Sequence, residues 1–428
     1  MAKEVKNAAV NGDYPLGPVP ASSRKGFISL AVVLLGFTYY TGTMAAGGTI
    51  GAAFDFKTLM WVIILGDLIL GAYAAVLAWI AANSGLTTVL MSRHSFGKYG
   101  AKWVDFILGF TQLGWYGFTT ALTSNAIATM FNLDSAVIPA LFIFFGIAFC
   151  STAFVGYKGI EILSNVAIPA MTILMIWSIC IALRDVGGAA NLTSVVPTES
   201  MTFAAGLTIV VGTYISGGLQ STNWSRFAKN GKQAVITTLL AFFIGNAFMI
   251  ICGALGAFVY QESDMVQVLV KQGILVAGFA LLILNVWTSQ DNTIYAFSIA
   301  ACTAFNNKNR RMFVIIGAGV GIIFALVGIY DVLVPFLSLL GTVIPPVGGV
   351  IAADFFVKYK SKFPDFEKTE FRNFNWAGII SYVLGVLAAV YTPGIPCING
   401  AIVPFIAYII LDPVFKKMGM PQDNKTVD

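Results

Sequence analysis

Apolar windows about 20 residues long recur from one end of this 428-residue chain to the other, and they decide its fold class. Coiled as an α-helix rising about 1.5 Å per residue, such a window spans the ~30 Å of a bilayer's hydrocarbon. Twelve are legible, near 27–52, 58–82, 103–130, 136–156, 160–183, 203–221, 234–259, 273–303, 312–329, 332–353, 375–392 and 396–412. Only 11% of the residues are charged, against roughly 25% in a soluble domain, so the chain cannot cover itself with a water-facing surface. The expected fold is an all-α integral membrane protein of about twelve transmembrane helices.

Residues 1–26 and 416–428 are polar tails, and the first holds no apolar core of a cleaved signal peptide. An even number of spans puts both tails on one side. With loops assigned alternately, that side collects 22 of the 25 lysines and arginines, leaving only Lys57, Arg184 and Lys271 opposite. The excess of positive charge faces inward, so both termini are expected in the cytoplasm of a cell whose inner membrane holds the protein. The net charge of +5 then lies in cytoplasmic loops and needs no nucleic-acid partner. The five cysteines, all in apolar segments, are expected as small buried side chains, and the single histidine, His94, as a cytoplasmic loop residue.

Two stretches interrupt the apolar pattern in nearly the same way. "GTYISGG", Gly212 to Gly218, lies in the sixth window, and a looser copy, "FTYYTG", Phe37 to Gly42, lies in the first. In hydrocarbon an unpaired backbone group costs several kcal/mol, so a span breaks only where it lines a cavity or is buried in protein. Two broken spans at corresponding places mark the substrate site of a transporter built from inverted repeats; glycine serving only close helix packing is the competing reading. With spans 1–5 (27–183) and 6–10 (203–353) as repeats, the breaks fall in the first span of each. Spans 11 and 12 (375–412) are extra, and the whole chain, 1–428, is one polytopic unit. No Walker sequence and no Ser/His/Asp or zinc motif appears, which argues against ATP as the energy source, and a single histidine argues against most hydrolytic schemes.

Polar residues inside the spans are expensive and point to function. In span 3, "GFTQLGWYG" sets Gln112 and Trp115 three apart on one helix face. An indole face and a carboxamide suit a flat heteroaromatic ligand, the one by stacking and the other by paired donor and acceptor. Span 6 offers the opposite ring in Tyr214, flanked by Thr213 and Ser216. In span 8, "LNVWTSQDNTIY" puts Asn285, Thr288 and Ser289 on one face. Their oxygens, with carbonyls freed by the break in span 1, would make a small cage for a hard cation such as Na+. Asp291 points elsewhere on the wheel, to an internal partner or a proton role, and Asp67 in span 2 is a second lone carboxylate. Pro345 and Pro346 predict a kink in span 10, as a gate or a static bend, and Asp354 anchors that helix near the cytoplasm.

Over essentially its whole length the chain resembles the nucleobase:cation symporter-1 family, and within it the bacterial cytosine permeases. The matching stretches are "GPVPASSRKG", "SGLTTVLMSRHSFG", "TQLGWYG", "WSRFAKN", "NVWTSQDN" and "IPPVGGVIAAD". The resemblance implies a five-plus-five inverted repeat with spans 1 and 6 broken and two further spans. It implies sodium-coupled import of a nucleobase, foremost cytosine, with no obligate protein partner. The base would lie between Trp115 and Tyr214, bonded by Gln112 with help from Thr213 and Ser216. Sodium would use the Gly36 and Tyr39 carbonyls, the Asn285 carbonyl, Thr288 and Ser289. Three departures bear on the base: Tyr214 stands where the family pattern has Phe, Asn223 where it has Asp, and "MAAGG", Met44 to Gly48, replaces "MWTGG", removing a large ring near the cavity. Hypoxanthine, uracil, allantoin or a hydroxymethylpyrimidine are alternatives to cytosine, and an amino-acid carrier of the same architecture is the rival outside them.

Overall fold

The computed structural model describes residues 14–262, 268–269, 271–420 and 423–426. Most of the N-terminal tail and part of the C-terminal tail lie outside the described residues. The fold is all-α but for a short antiparallel pairing of Thr369–Glu370 with Lys425–Thr426. Each of the twelve windows falls on a helix. Among the described residues, seven helices are long and apolar enough to cross a membrane, or eight with the bent pair of span 1. The remaining windows lie on Thr88–Met130 and Leu275–Ala304, which carry the polar residues singled out above, and on Arg310–Leu326 and Trp376–Tyr391, of 17 and 16 residues. Leu68, Phe106, Phe144, Val166 and Ile173 turn more than half their surface outward, as side chains bathed in lipid do.

Span 1 breaks where expected. Phe27–Thr38 and Thr41–Ala53 are joined through Tyr39 and Tyr40 in extended conformation, with a bend of 56° between the halves. Span 6 differs from expectation. Helix Phe203–Gln220 runs unbroken through "GTYISGG" and is interrupted only at Ser221, before the short helix Thr222–Ser225. Glycine costs a helix only about 1 kcal/mol and leaves its hydrogen bonds intact, and these glycines serve packing. Gly217 leaves room for the rings of Tyr214 and Phe37, while Gly218 lies against Leu70, Tyr73 and Ala74 of span 2, Phe56–Ser84. Span 10 is interrupted at Ile344, just before the proline pair, as the prolines predict.

The second half of span 1 and span 7 (Gly231–Tyr260) meet backbone to backbone. A Cβ on Gly47 would fall on the Ile250 carbonyl, one on Gly51 on the Ala254 carbonyl, and one on Gly253 on the Met44 carbonyl. Gly253→Val is therefore expected to destabilise the protein by about 1–3 kcal/mol, the usual cost of overpacking. The check is a lowered melting temperature in detergent, and an unchanged one would mean these elements do not touch there.

His94 is not a solvated loop residue. It lies near the N-terminal end of helix Thr88–Met130, fully buried, stacked on Phe363 at 4.4 Å and ringed by Tyr359, Phe366 and Phe371. Burial, and then the nearby Lys358 ammonium, pushes its imidazole down to about 3, so it is neutral at physiological pH. The loop that covers it ends on the Gly97 corner, where φ of 82° lets the helix turn into span 3 proper. Asp354 is the anchor expected, accepting from Ser95 Oγ at 2.8 Å and Tyr408 Oη at 2.6 Å. Of the cysteines, Cys252, Cys302 and Cys397 are buried, but Cys150 is half-buried and Cys180 is exposed on the outer side of span 5, Tyr157–Asp185. An apolar environment outside the bundle tolerates a thiol as well as the core does.

Candidate functional site

Five residues from two of the polar stretches line one small cavity: Gln112 and Trp115 of span 3, and Thr213, Tyr214 and Ser216 of span 6. Phe37 and Tyr40 from the break in span 1, and Ser289 and Thr293 from span 8, complete the wall. The indole Nε1–H donates to Ser216 Oγ at 3.2 Å, and Thr213 Oγ1 donates to the Val210 carbonyl at 2.7 Å. The Gln112 side chain is buried yet has no hydrogen bond to another described residue. A buried carboxamide normally finds partners for most of its donors and acceptors, so this one has capacity for a ligand in the cavity.

Trp115 and Tyr214 do not form an open slot. The Tyr40 ring lies edge-on to both, 5.4 Å from Trp115 and 6.1 Å from Tyr214 between centroids, with its hydroxyl on Thr119 Oγ1. The free volume is about 20 Å³, enough for roughly one water molecule. Tyr214 Oη donates to the Phe37 carbonyl at the end of the first half-helix, so its hydroxyl serves the broken span and its ring faces the cavity. Sequence reasoning missed Tyr40, although "FTYYTG" holds it. Alignment of the two motifs matched Tyr39 to Tyr214, but the extended backbone between the half-helices sends neighbouring side chains opposite ways. Tyr39 instead packs near Phe248, with its hydroxyl 3.1 Å from Thr172 Oγ1.

The span-8 oxygens meet the broken end of span 1 as the sequence suggested. Ser289 Oγ is 2.8 Å from both the Tyr39 and the Asn285 carbonyl oxygens, and Thr288 Oγ1 donates to the Asn285 carbonyl at 2.9 Å. The Thr43 amide, which an unbroken helix would aim at Tyr39, goes to the Tyr40 carbonyl, so the Tyr39 carbonyl is released for this cluster. Gly36 is buried three residues earlier on the same helix end, packed against Ser164 of span 5. Backbone and hydroxyl oxygens without a carboxylate are the donor set of a hard monovalent cation, and the residues present fit Na+.

Other singled-out residues lie elsewhere. Asp291 accepts from Thr152 Oγ1 of span 4 at 3.0 Å, facing away from the cavity. Asn223 lies on the short helix after span 6, beside Thr88 and Gln220 in a separate small void. None of Met44 to Gly48 is among the cavity-lining residues, and of these Gly47 and the Met44 backbone meet span 7.

Compared with known proteins, residues 18–410 match the family model for permeases of cytosine/purines, uracil, thiamine and allantoin. The chain is 35% identical to the cytosine permease of Escherichia coli (strain K12) over 407 residues, covering 95% of this chain and 96% of that one. Among solved structures it resembles Mhp1, a nucleobase-cation-symport-1 family transporter, in a closed conformation with bromovinylhydantoin bound. The TM-score is 0.84 at 18% identity, over 96% of each chain. A Na+-coupled sialic acid symporter in an outward-open state follows at TM-score 0.70 and 13% identity, over 95% of this chain and 92% of that one. At these identities the structures establish the fold alone.

Proposed function

The chain belongs to the family of permeases for cytosine/purines, uracil, thiamine and allantoin, and from this we propose that it imports a nucleobase, foremost cytosine, by sodium-coupled alternating access across the cell's inner membrane. Its relatives are permeases, and the chain is a multi-pass membrane transporter and not an enzyme. The observation that carries the finer reading is the Gln112 carboxamide, without a partner among the described residues, beside the Trp115 indole in a small cavity walled by aromatic rings. A pyrimidine edge supplies the paired donor and acceptor that Gln112 lacks, and its flat faces suit Trp115 and Tyr214. Room for it requires the Tyr40 ring to move aside. Since Tyr40 follows the carbonyl of Tyr39 that Ser289 holds, a Na+ drawn to these oxygens acts on the backbone that carries Tyr40.

The test is uptake of a panel of radiolabelled bases by reconstituted protein with and without Na+, with counterflow to separate carrier from channel. Cytosine uptake stimulated by Na+ supports the reading; saturable uptake of a purine or allantoin in preference would reassign the substrate. Gln112→Ala is expected to lower cytosine affinity by about tenfold or more, because the lost group leaves part of the ring edge unsatisfied, at about 1.4 kcal/mol per decade. Bases that cannot pair with the carboxamide should lose less. Equal losses across the panel would make Gln112 a structural residue.

A further inference from the structure

Asp67 lies well inside span 2 with its side chain entirely buried, and nothing in the transport reading above uses it. Its Oδ1 accepts from Asn246 Nδ2 at 2.8 Å, while its Oδ2, equally buried, has no partner among the described residues. Asn246 ends the π-helical turn Leu240–Asn246 of span 7, a distortion that recurs at functional sites. The same amide reaches the candidate site. Its Nδ2 is 3.4 Å from Thr213 Oγ1, and its Oδ1 accepts from Thr43 Oγ1 at 3.3 Å. One carboxyl group thus ties span 2 to span 7, to the second half of span 1 and to span 6.

Among the described residues, the elements packed around it offer no compensating charge. The second half of span 1 has no titratable side chain, and span 6 has only Tyr214, whose hydroxyl is committed to the Phe37 carbonyl. Span 7 carries Cys252 near this depth, with Lys232 and Tyr260 at its ends, and span 2 carries Lys57 at its start and Tyr73 further along. As a carboxylate, Asp67 would be an uncompensated charge within the bundle. As an acid, it would present a hydroxyl with no acceptor. Neither protonation state is satisfied by the described residues around it. Asp291 Oδ1 is likewise buried without a partner among the described residues, but Asp291 bonds Thr152 away from the cavity, whereas Asp67 is tied through Asn246 to Thr213 and Thr43 at the candidate site. Intramembrane carboxylates facing the bundle interior are the groups from which proton relays are built.

We propose that Asp67 is a proton-binding site. Its carboxylate takes one proton from hydronium at Oδ2, forming one O–H bond and leaving water, and gives it back when the contacts through Asn246 to Thr43 and Thr213 are rearranged. Binding at this position is coupled to the half-helix Thr41–Ala53 and to span 6, so protonation biases the conformation of the transport site. The coupling to base movement rests on the transporter reading above; the binding of the proton does not.

Two measurements on the reconstituted full chain test this. Infrared difference spectra between acidic and alkaline buffer should contain a protonated-carboxyl band that is lost in Asp67→Asn and kept in Asp291→Asn. Asp67→Asn retains the shape of the side chain, and its melting curve reports whether it folds. At a fixed Na+ gradient, the pH dependence of cytosine uptake seen in the parent protein should disappear in Asp67→Asn. A carboxyl region left unchanged by Asp67→Asn overturns the proposal, as does an identical pH profile in the two proteins. If neither protein moves any base, the transporter reading has failed and the infrared band alone decides the site.

Discussion

Trp115→Ala is expected to weaken base binding by roughly one to two decades. Stacking of a base on an aromatic side chain contributes about 1–3 kcal/mol in nucleic-acid proteins, and each decade corresponds to about 1.4 kcal/mol. The structure adds a second loss, because the indole Nε1–H also holds Ser216 Oγ at 3.2 Å. Trp115→Phe falls between: it retains a smaller ring face for stacking and removes the N–H. Equilibrium binding of labelled cytosine should therefore rank the parent above Trp115→Phe and that above Trp115→Ala. Tyr214→Phe keeps its ring but loses the bond to the Phe37 carbonyl, a cost of about 1 kcal/mol that should appear in stability more than in affinity. Binding that is unchanged in Trp115→Ala would remove the base from this cavity altogether.

How much of this was legible in the sequence depended on which rule applied locally. Spans were legible because bilayer thickness fixes their length, and even Arg310–Leu326, short as it is, sits in its expected window. Gln112 and Trp115 share a face because helical periodicity holds across span 3, and both line one cavity. The break in span 1 was legible from composition, but its consequence was not. Once Tyr39 and Tyr40 leave helical geometry, periodicity no longer says which ring turns inward, and it is Tyr40. "GTYISGG" misled in the opposite sense, since its glycines serve contact with Phe37 and span 2 inside a continuous helix. His94 was hidden because its aromatic cover comes from residues 359–371, far along the chain. A sequence window holds no record of such partners.

Thr288→Ala combined with Ser289→Ala is expected to abolish stimulation of base uptake by Na+. The pair removes both hydroxyl oxygens from the cluster at the Tyr39 and Asn285 carbonyls, leaving carbonyl oxygens too few to replace a cation's hydration shell. Alanine is the best helix former and the lost hydrogen bonds are worth about 1 kcal/mol each, so folding should survive, as a melting curve would verify. The thermodynamics also sets the form of the result. Coupling between ion and base is reciprocal: if Na+ tightens base binding by some factor, the base tightens Na+ binding by the same factor. In the double variant both factors should fall to one. Base affinity measured in Na+ should then equal that measured in its absence, while the Trp115 and Gln112 contributions persist. The single backbone step from Tyr39, whose carbonyl Ser289 holds, to Tyr40, whose ring fills the cavity, is the connection that loses its drive. Stimulation by Na+ that persists in the double variant would place the ion elsewhere. Uptake in the parent protein that ignores Na+ and follows pH would transfer the coupling to the proton, with Asp67 as the carboxyl to test first.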